Sequence, residues 1–130
     1  MTNNSPFLAL QLIKDIGSDN LKLQLDIFHL QLLEGNLTNK IKELLPYTGI
    51  PRLFSTILAA KNYSLWSTGH IQISQVPGRN EPDTEGEINY QYILGLLEKY
   101  GYDQYIGLEY NPAVNTNQSV LWMSKWGYTF

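Results

Sequence analysis

The chain contains no cysteine, and this absence excludes disulfides, thiolate metal sites and cysteine nucleophiles. It also lacks any block of lysine and arginine, because its 9 basic and 12 acidic residues are mixed along the sequence. A nucleic-acid-binding module needs a concentrated basic face to meet phosphates, so we expect no nucleic-acid partner. No apolar run approaches the roughly 20 residues that cross a bilayer, and we expect no membrane partner either.

The N-terminal segment, residues 1–5, lacks the basic stretch followed by an apolar run that marks a signal peptide. Together with the missing membrane span, this predicts a soluble, cytoplasmic protein. The length of 130 residues corresponds to one ordinary domain, residues 1–130, that is long enough to bury a core. A homo-oligomer is compatible with this composition.

Hydrophobic periodicity predicts helices and strands that alternate along the chain. Apolar residues at helical spacing, with cap and stop residues at their ends, predict helices at about 6–16, 36–45, 89–101 and 116–126. Strict alternation of apolar and polar residues predicts strands at 21–27, 70–74 and 105–110. Strands that alternate with helices form right-handed crossovers and hence a parallel sheet.

Each predicted strand has one apolar and one polar face, which is informative about the fold class. Parallel strands that are buried on both faces are usually apolar throughout. In an α/β barrel the apolar face meets the outer helices, and the polar face points into the barrel, with the active site at the carboxyl ends of the strands. An antiparallel sheet with one wet face gives the same alternation, but the intervening helices argue against it.

One segment, Gly49 to Thr68, does not fit this alternation. It spans about 20 residues, whereas helix-to-strand connections in such folds are typically about 2–6 residues long. It carries no convergent polar groups, and its place before a strand puts it at the end of the barrel away from the catalytic mouth. We interpret it as an insertion without a catalytic role.

Five polar residues are candidates for a site: Asp26, His29, Gln72, Arg79 and Glu109. Taken singly, four of them have ordinary explanations: Asp26 as a helix N-cap, His29 as a core histidine, Arg79 as a loop charge and Glu109 as a surface carboxylate. Asp26, Gln72 and Glu109, however, fall on the polar faces of three different strands near their carboxyl ends. Two carboxylates and an amide oxygen suit Mg²⁺ or Mn²⁺, and a carboxylate there can act as a general base beside a carbonyl. Arg79, in a Pro-Gly loop, is suited to hold a substrate carboxylate through two hydrogen bonds.

Four sequence blocks make the chain recognisable. They read L-D-I-F-H-L-Q at 25–31, G-H-I-Q-I-S-Q-V-P-G-R-N-E-P at 69–82, G-E-I-N-Y at 86–90 and I-G-L-E-Y at 106–110. With these blocks the chain closely resembles the hydroxypyruvate isomerase family of xylose-isomerase-like TIM barrels. The resemblance runs from about residue 6 to the C-terminus, apart from the segment 49–68, and the long V-P-G-R-N-E-P block makes it specific.

The resemblance implies a partial TIM barrel that corresponds to the C-terminal half of the family's fold. Family members interconvert hydroxypyruvate and 2-hydroxy-3-oxopropanoate (tartronate semialdehyde) through an enediol, with two glutamates as acid and base. Glu109 matches the second of these glutamates. Asp26 and Gln72 match positions that, with the glutamates, form a divalent-metal site for Mg²⁺ or Mn²⁺. His29 and Arg79 match residues that contact the small-molecule substrate.

No glutamate of residues 1–130 matches the family's first catalytic glutamate by motif, because the resemblance places these residues in the second half of the family's barrel. Three parallel strands cannot close a barrel, so a truncated, non-catalytic fragment is the alternative to an active isomerase. We expect no measurable isomerisation by residues 1–130 alone, and turnover by that polypeptide would refute this. A sugar epimerase is a further alternative because its chemistry is closely related. An abasic-site nuclease needs more histidine ligands than the two present.

Overall fold

The computed structural model describes residues 5–18, 20–48 and 69–128, so the proposed insertion at 49–68 lies outside the described residues. The elements are α1 (Pro6–Ile16), β1 (Gln24–Asp26), α2 (Ile27–Leu33), α3 (Leu37–Leu44), β2 (His70–Ile73), α4 (Tyr90–Lys99), β3 (Ile106–Leu108), α5 (Thr116–Ser119) and α6 (Leu121–Lys125). A short 3₁₀ turn, Leu45–Tyr47, follows α3. Within the described ranges, no helix is long and apolar enough to cross a membrane.

The three strands form one parallel sheet in the order β1-β2-β3. Leu25 of β1 pairs with Ile71 of β2, which pairs in turn with Ile106 of β3. Parallel neighbours need a long crossover connection, and helices lie between the strands in sequence. The chain order of the strands is also their order in the sheet, as in a barrel. The prediction of a partial α/β barrel is therefore confirmed.

The two faces of the sheet differ as the alternation predicts. Leu25, Ile71 and Ile73 are at most 2% exposed and form one core with the helices. Burial of such a side chain contributes about 1.5–3 kcal/mol each to stability. On the opposite face, Gln24 is exposed and His70 is only partly buried. The apolar face thus stabilises the fold, and the polar face is left open for chemistry.

The first predicted strand, residues 21–27, is wrong at both ends. The strand itself is only Gln24–Asp26, and α2 begins at the next residue, Ile27. Asp26 causes this early change, because its Oδ1 accepts hydrogen bonds from the backbone N–H groups of Phe28 at 2.9 Å and His29 at 3.4 Å. Such a cap starts a helix whatever the preceding alternation.

Two other predicted elements are shorter or more divided than expected. The third strand covers Ile106–Leu108 rather than residues 105–110. The last helix, predicted as one element, is two short helices, α5 and α6, that meet at Val120. Residues beyond β3, which include Glu109, are held by loop contacts instead of a regular strand ladder.

The start of α4 fixes the end of β2. Asn89 caps the helix predicted at 89–101, since its side chain accepts a hydrogen bond from the N–H of Tyr92 at 3.1 Å. The buried Tyr90 hydroxyl donates to the carbonyl of Ser74 at 2.7 Å and accepts from the N–H of Ser74 at 3.1 Å. Burial raises the pKa of Tyr90 far above its usual value, so the hydroxyl keeps the proton that it donates.

Candidate active site at the strand ends

The carboxyl ends of the three strands form a rim on the polar side of the sheet. Asp26 at the end of β1 pairs in register with Gln72 of β2, and Gln72 pairs with Gly107 of β3. Glu109 follows two residues after Gly107, on the same face of the chain. Its backbone N–H donates to the carbonyl of Ile73 at 3.2 Å, which extends the pairing of β2 and β3. The three predicted oxygen donors therefore lie on neighbouring strands of one rim.

Arg79 contacts three of the other four candidate residues. Its Nη2 lies 3.3 Å from Asp26 Oδ2 and 3.5 Å from Glu109 Oε1. Its Nη1 lies 3.3 Å from His29 Nε2, and its guanidinium carbon stands 4.9 Å from the ring centre of Phe28. A guanidinium between two carboxylates and above an aromatic ring is a favourable arrangement in charge and shape. The arginine is thus the centre of the observed cluster.

Asp26 serves the helix and the cluster at once. Oδ1 caps α2, whereas Oδ2 faces Arg79 and lies 3.5 Å from His29 Nε2. Its side chain is 13% exposed, but that of Glu109 is 50% exposed and can be reached from solvent. The ordinary explanation of Asp26 as an N-cap is therefore correct, and it leaves the second oxygen available for a site.

Gln72 stands slightly apart from this cluster. Its Oε1 accepts a short hydrogen bond from Gln24 Nε2 on the adjacent strand, and no hydrogen bond joins it to Arg79 among the described residues. The register still places it beside Asp26. The structure thus brings Asp26, His29, Arg79 and Glu109 into contact and places Gln72 at their edge.

The loop after β2 aims the arginine. Gln75 N donates to Asn80 O at 2.9 Å, and Arg79 N donates to Gln75 O at 2.7 Å, so the loop turns back tightly on itself. Arg79 has a φ of 55°, in the left-handed region that non-glycine residues adopt at a cost of about 1–2 kcal/mol. The turn compensates for this cost and directs the side chain over the polar face.

Gln75 is a residue that sequence reasoning missed. It is 2% exposed, and its Nε2 donates to the carbonyls of Pro82, Thr84 and Ile88 at 3.4, 3.2 and 2.9 Å. Its Oε1 accepts from the N–H groups of Val76 at 3.0 Å and Ile88 at 2.9 Å. One buried amide therefore ties together the loop that carries Arg79. Its strand-end position gave no sign of this role.

Gly86 lets the loop close around that amide. A Cβ at this position would overlap with the Gln75 side chain and with the carbonyl of Val76. The G-E-I-N-Y block thus begins with glycine for a steric reason.

His70 was also left out of the candidate set. It begins β2 on the polar face, and its ring lies against the backbone of Gly107, where a Cβ would overlap with it. The glycine therefore makes room for an imidazole below the rim. The alternation of β2 marks this histidine as facing the same side as Gln72.

The donor set suits a hard divalent cation in chemistry and number. Asp26, Gln72 and Glu109 offer carboxylate and amide oxygens, and Mg²⁺ commonly takes one or two carboxylates and keeps several waters. In the observed arrangement the Arg79 guanidinium stands between the two carboxylates. Over residues 5–18, 20–48 and 69–128, no group of three or more His, Asp or Glu side chains is spaced to hold a metal. The fit to a cation therefore rests on the chemistry of these three donors and on their places on neighbouring strands.

Comparison with known proteins identifies relatives of this chain. The model of the family described as "Xylose isomerase-like TIM barrel" matches residues 1–126. A putative hydroxypyruvate isomerase of Homo sapiens is 37% identical over 123 residues, which cover 95% of this chain and 37% of that protein. Hydroxypyruvate isomerase of Escherichia coli (strain K12) is 37% identical, with 91% of this chain and 38% of that protein covered. The resemblance noted from the sequence is confirmed.

Two further relatives carry other names. A 2-oxo-tetronate isomerase of Pectobacterium atrosepticum is 38% identical and covers 94% of this chain and 38% of its own length. A crystal structure described as AP endonuclease, family 2, from Brucella melitensis superimposes with a TM-score of 0.71 at 33% identity. It covers 92% of this chain and 38% of that chain. The chain therefore spans 37–38% of the length of the relatives named here.

Proposed function

Because the chain belongs to the xylose isomerase-like TIM barrel family, we propose that its rim forms part of the active site of a hydroxypyruvate isomerase. The observation that carries the proposal is the position of one Arg79 nitrogen, Nη2, 3.3 Å from Asp26 and 3.5 Å from Glu109. A fixed cation next to an accessible carboxylate is what a small 2-oxo acid needs for binding and proton transfer. The hydroxypyruvate isomerases among the relatives support the choice of substrate.

Glu109 is the proposed general base. Its half-exposed carboxylate can take a proton from C3 of hydroxypyruvate, and protonation of the C2 oxygen then gives an enediol across C2 and C3. Return of a proton to C2, with loss of the C3 hydroxyl proton, gives 2-hydroxy-3-oxopropanoate, so that atoms and charge balance. The contact with Arg79 orients this carboxylate before the substrate binds.

Arg79 and His29 are the proposed substrate contacts. The Arg79 side chain is 28% exposed, so one edge of its guanidinium can meet a substrate carboxylate while Phe28 packs against its face. His29 is 53% exposed and lies 3.3 Å from Arg79 Nη1. It is more exposed than the arginine, so it can donate a hydrogen bond to a substrate oxygen.

We further propose that Asp26, Gln72 and Glu109 hold Mg²⁺ or Mn²⁺. When bound, such a cation polarises a substrate carbonyl and stabilises negative charge that develops on its oxygen. We expect the purified protein to bind Mn²⁺, and Asp26→Asn to weaken binding by about 10–100-fold because it removes the ligand charge. Loss of the free Mn²⁺ signal in electron paramagnetic resonance measures this affinity.

The control for the Mn²⁺ titration is Asp103→Asn, which changes the same chemical group at an exposed position away from the rim. Equal Mn²⁺ affinity in Asp26→Asn and in the unchanged protein would refute the ligand assignment. Absence of Mn²⁺ binding by the unchanged protein would refute the metal site altogether. Circular dichroism confirms that the Asp26 variant, which also alters the α2 cap, is folded.

Proton exchange at C3 of the substrate tests the proposed reaction. The protein, expressed from its complete reading frame, is incubated with hydroxypyruvate in D₂O in the presence of Mg²⁺ or Mn²⁺. We expect loss of the C3 methylene signal in proton NMR, together with an aldehyde signal from the product, because an enediol exchanges its carbon-bound proton with solvent. Exchange no faster than in buffer, by protein shown to be folded, would contradict the proposal.

Isomerisation of 2-oxo-tetronate is a second candidate, favoured by the relative from Pectobacterium atrosepticum. The rim groups act on the hydroxylated carbon next to a 2-oxo acid, and this unit is common to both substrates. The same NMR experiment with both compounds at equal concentration distinguishes them, because the preferred substrate has the higher kcat/KM.

A further inference from the structure

The segment just beyond β3 forms a regular series of hydrogen bonds with the end of β2 and the loop that follows it. The ladder of β2 and β3 ends where Glu109 N donates to Ile73 O at 3.2 Å. Two residues later, Asn111 N donates to the carbonyl of Arg79 at 2.8 Å. Two residues further, Ala113 N donates to Glu81 Oε1 at 2.9 Å. Alternate N–H groups of the chain after β3 thus all find acceptors on the β2 side.

This spacing is that of a parallel strand, although neither segment is a strand here. A second bond strengthens the middle step, because Asn80 Nδ2 donates to the carbonyl of Asn111 at 3.0 Å. The third acceptor is a side chain, the Glu81 carboxylate, in the place where a ladder would use a backbone carbonyl. Residues 79–81 therefore continue the pairing of β2 and β3 beyond the end of the sheet, partly through side chains.

A buried carboxylate such as that of Glu81 is an unusual acceptor for a backbone N–H group. It is 5% exposed, and within the described residues its second oxygen, Oε2, is buried without a hydrogen-bond partner. Burial of a polar group without a partner costs about 1–3 kcal/mol. A carboxylate kept at such a cost next to a catalytic segment indicates a requirement for an acceptor at this point.

We propose that Asn80 and Glu81 are positioning residues for Glu109. Arg79 contacts the carboxylate of Glu109. Asn80 and Glu81, the next two residues, hold the backbone that follows Glu109 and so fix the direction in which its carboxylate points. β3 itself is only three residues long, so it cannot fix this direction alone. The inference rests on the proposed role of Glu109 as base.

The test compares three substitutions in the same loop. Glu81→Ala removes the acceptor, and we expect kcat to fall about 10–100-fold with little change in KM, since a small misplacement of a catalytic group has this effect. Glu81→Gln keeps an oxygen that can accept from Ala113 N and should recover most of the activity. Asn80→Ala, at a less buried position, should lower kcat to a smaller extent.

Amide hydrogen exchange gives a readout that does not depend on activity. In Glu81→Ala the N–H groups of Asn111 and Ala113 should exchange faster, whereas Glu81→Gln should keep them protected. The control is Glu85→Ala, at an exposed position of the same loop, which should change neither exchange nor kcat. If the unchanged protein, expressed from its complete reading frame, does not isomerise substrate, the proposed function fails. Amide exchange alone then still decides whether these residues hold the segment.

Two results would overturn the inference. One is unchanged exchange and unchanged kcat in Glu81→Ala together with Asn80→Ala. The other is a folded Glu81→Gln variant that is as impaired as Glu81→Ala, since this would require the negative charge rather than the acceptor.

Discussion

Glu109→Gln, in the protein expressed from its complete reading frame, is expected to lower the rate of hydroxypyruvate isomerisation by about 10²–10⁴-fold, which is the usual contribution of a positioned general base. Glutamine has nearly the same shape and can still accept a hydrogen bond from Arg79, but its amide cannot remove the C3 proton. The loss should therefore appear in kcat, with a smaller change in KM. Solvent deuterium incorporation at C3 should fall with it, because both depend on the same proton transfer.

Stability should barely respond to Glu109→Gln. The Glu109 side chain is 50% exposed, and an ion pair at such a position contributes roughly 0–1 kcal/mol. Urea unfolding measures this directly and separates a catalytic from a structural effect. Glu85→Gln, a carboxylate in the exposed part of the loop after β2, is the matched control and should retain full activity. A Glu109→Gln variant with at least half of the original kcat would exclude this residue as the base.

The fold was largely predictable because strand alternation and helix caps are local signals. Ser5 and Asn89 cap the helices that were expected to follow them, and the polar face of His70–Ile73 was readable from period-two spacing. The boundary at Asp26 was not predictable in this way. Ile27 continues the alternation in sequence, but the side-chain cap of Asp26 overrides it and turns the chain into α2.

The sequence predicted which strands supply polar groups to the site, but not how those groups are arranged. Register and handedness bring Asp26 and Gln72 side by side, as strand order requires. The central place of Arg79 depends on a positive φ and on hydrogen bonds within a tight loop, which no periodicity encodes. The roles of Gln75 and Glu81 could not be predicted from the sequence pattern either. Each role depends on hydrogen bonds to residues distant in sequence, and a buried polar side chain is recognised only by its partners.

Gln75→Leu should destabilise the fold by about 2–5 kcal/mol. Leucine has a similar volume but leaves the N–H groups of Val76 and Ile88 without their acceptor, and both residues are at most 5% exposed. Each buried group left unsatisfied costs about 1–3 kcal/mol. The midpoint of urea unfolding, read with an unchanged m-value, measures the loss. Gly86→Ala should act in the same direction, because its methyl group would overlap with the Gln75 side chain.

The control for Gln75→Leu is Gln91→Leu, on the exposed surface of α4, which should change the free energy of unfolding by less than about 0.5 kcal/mol. A Gln75→Leu variant as stable as this control would show that the loop does not depend on its central amide. Gln75→Glu separates the two halves of the network, because a carboxylate accepts but cannot donate to the three carbonyls that surround Nε2. In that variant the buried carboxyl should favour its protonated form, so stability should rise as the pH is lowered through its titration. Since the same loop aims Arg79, the loss of stability should be accompanied by weaker substrate binding even under conditions where the variant stays folded.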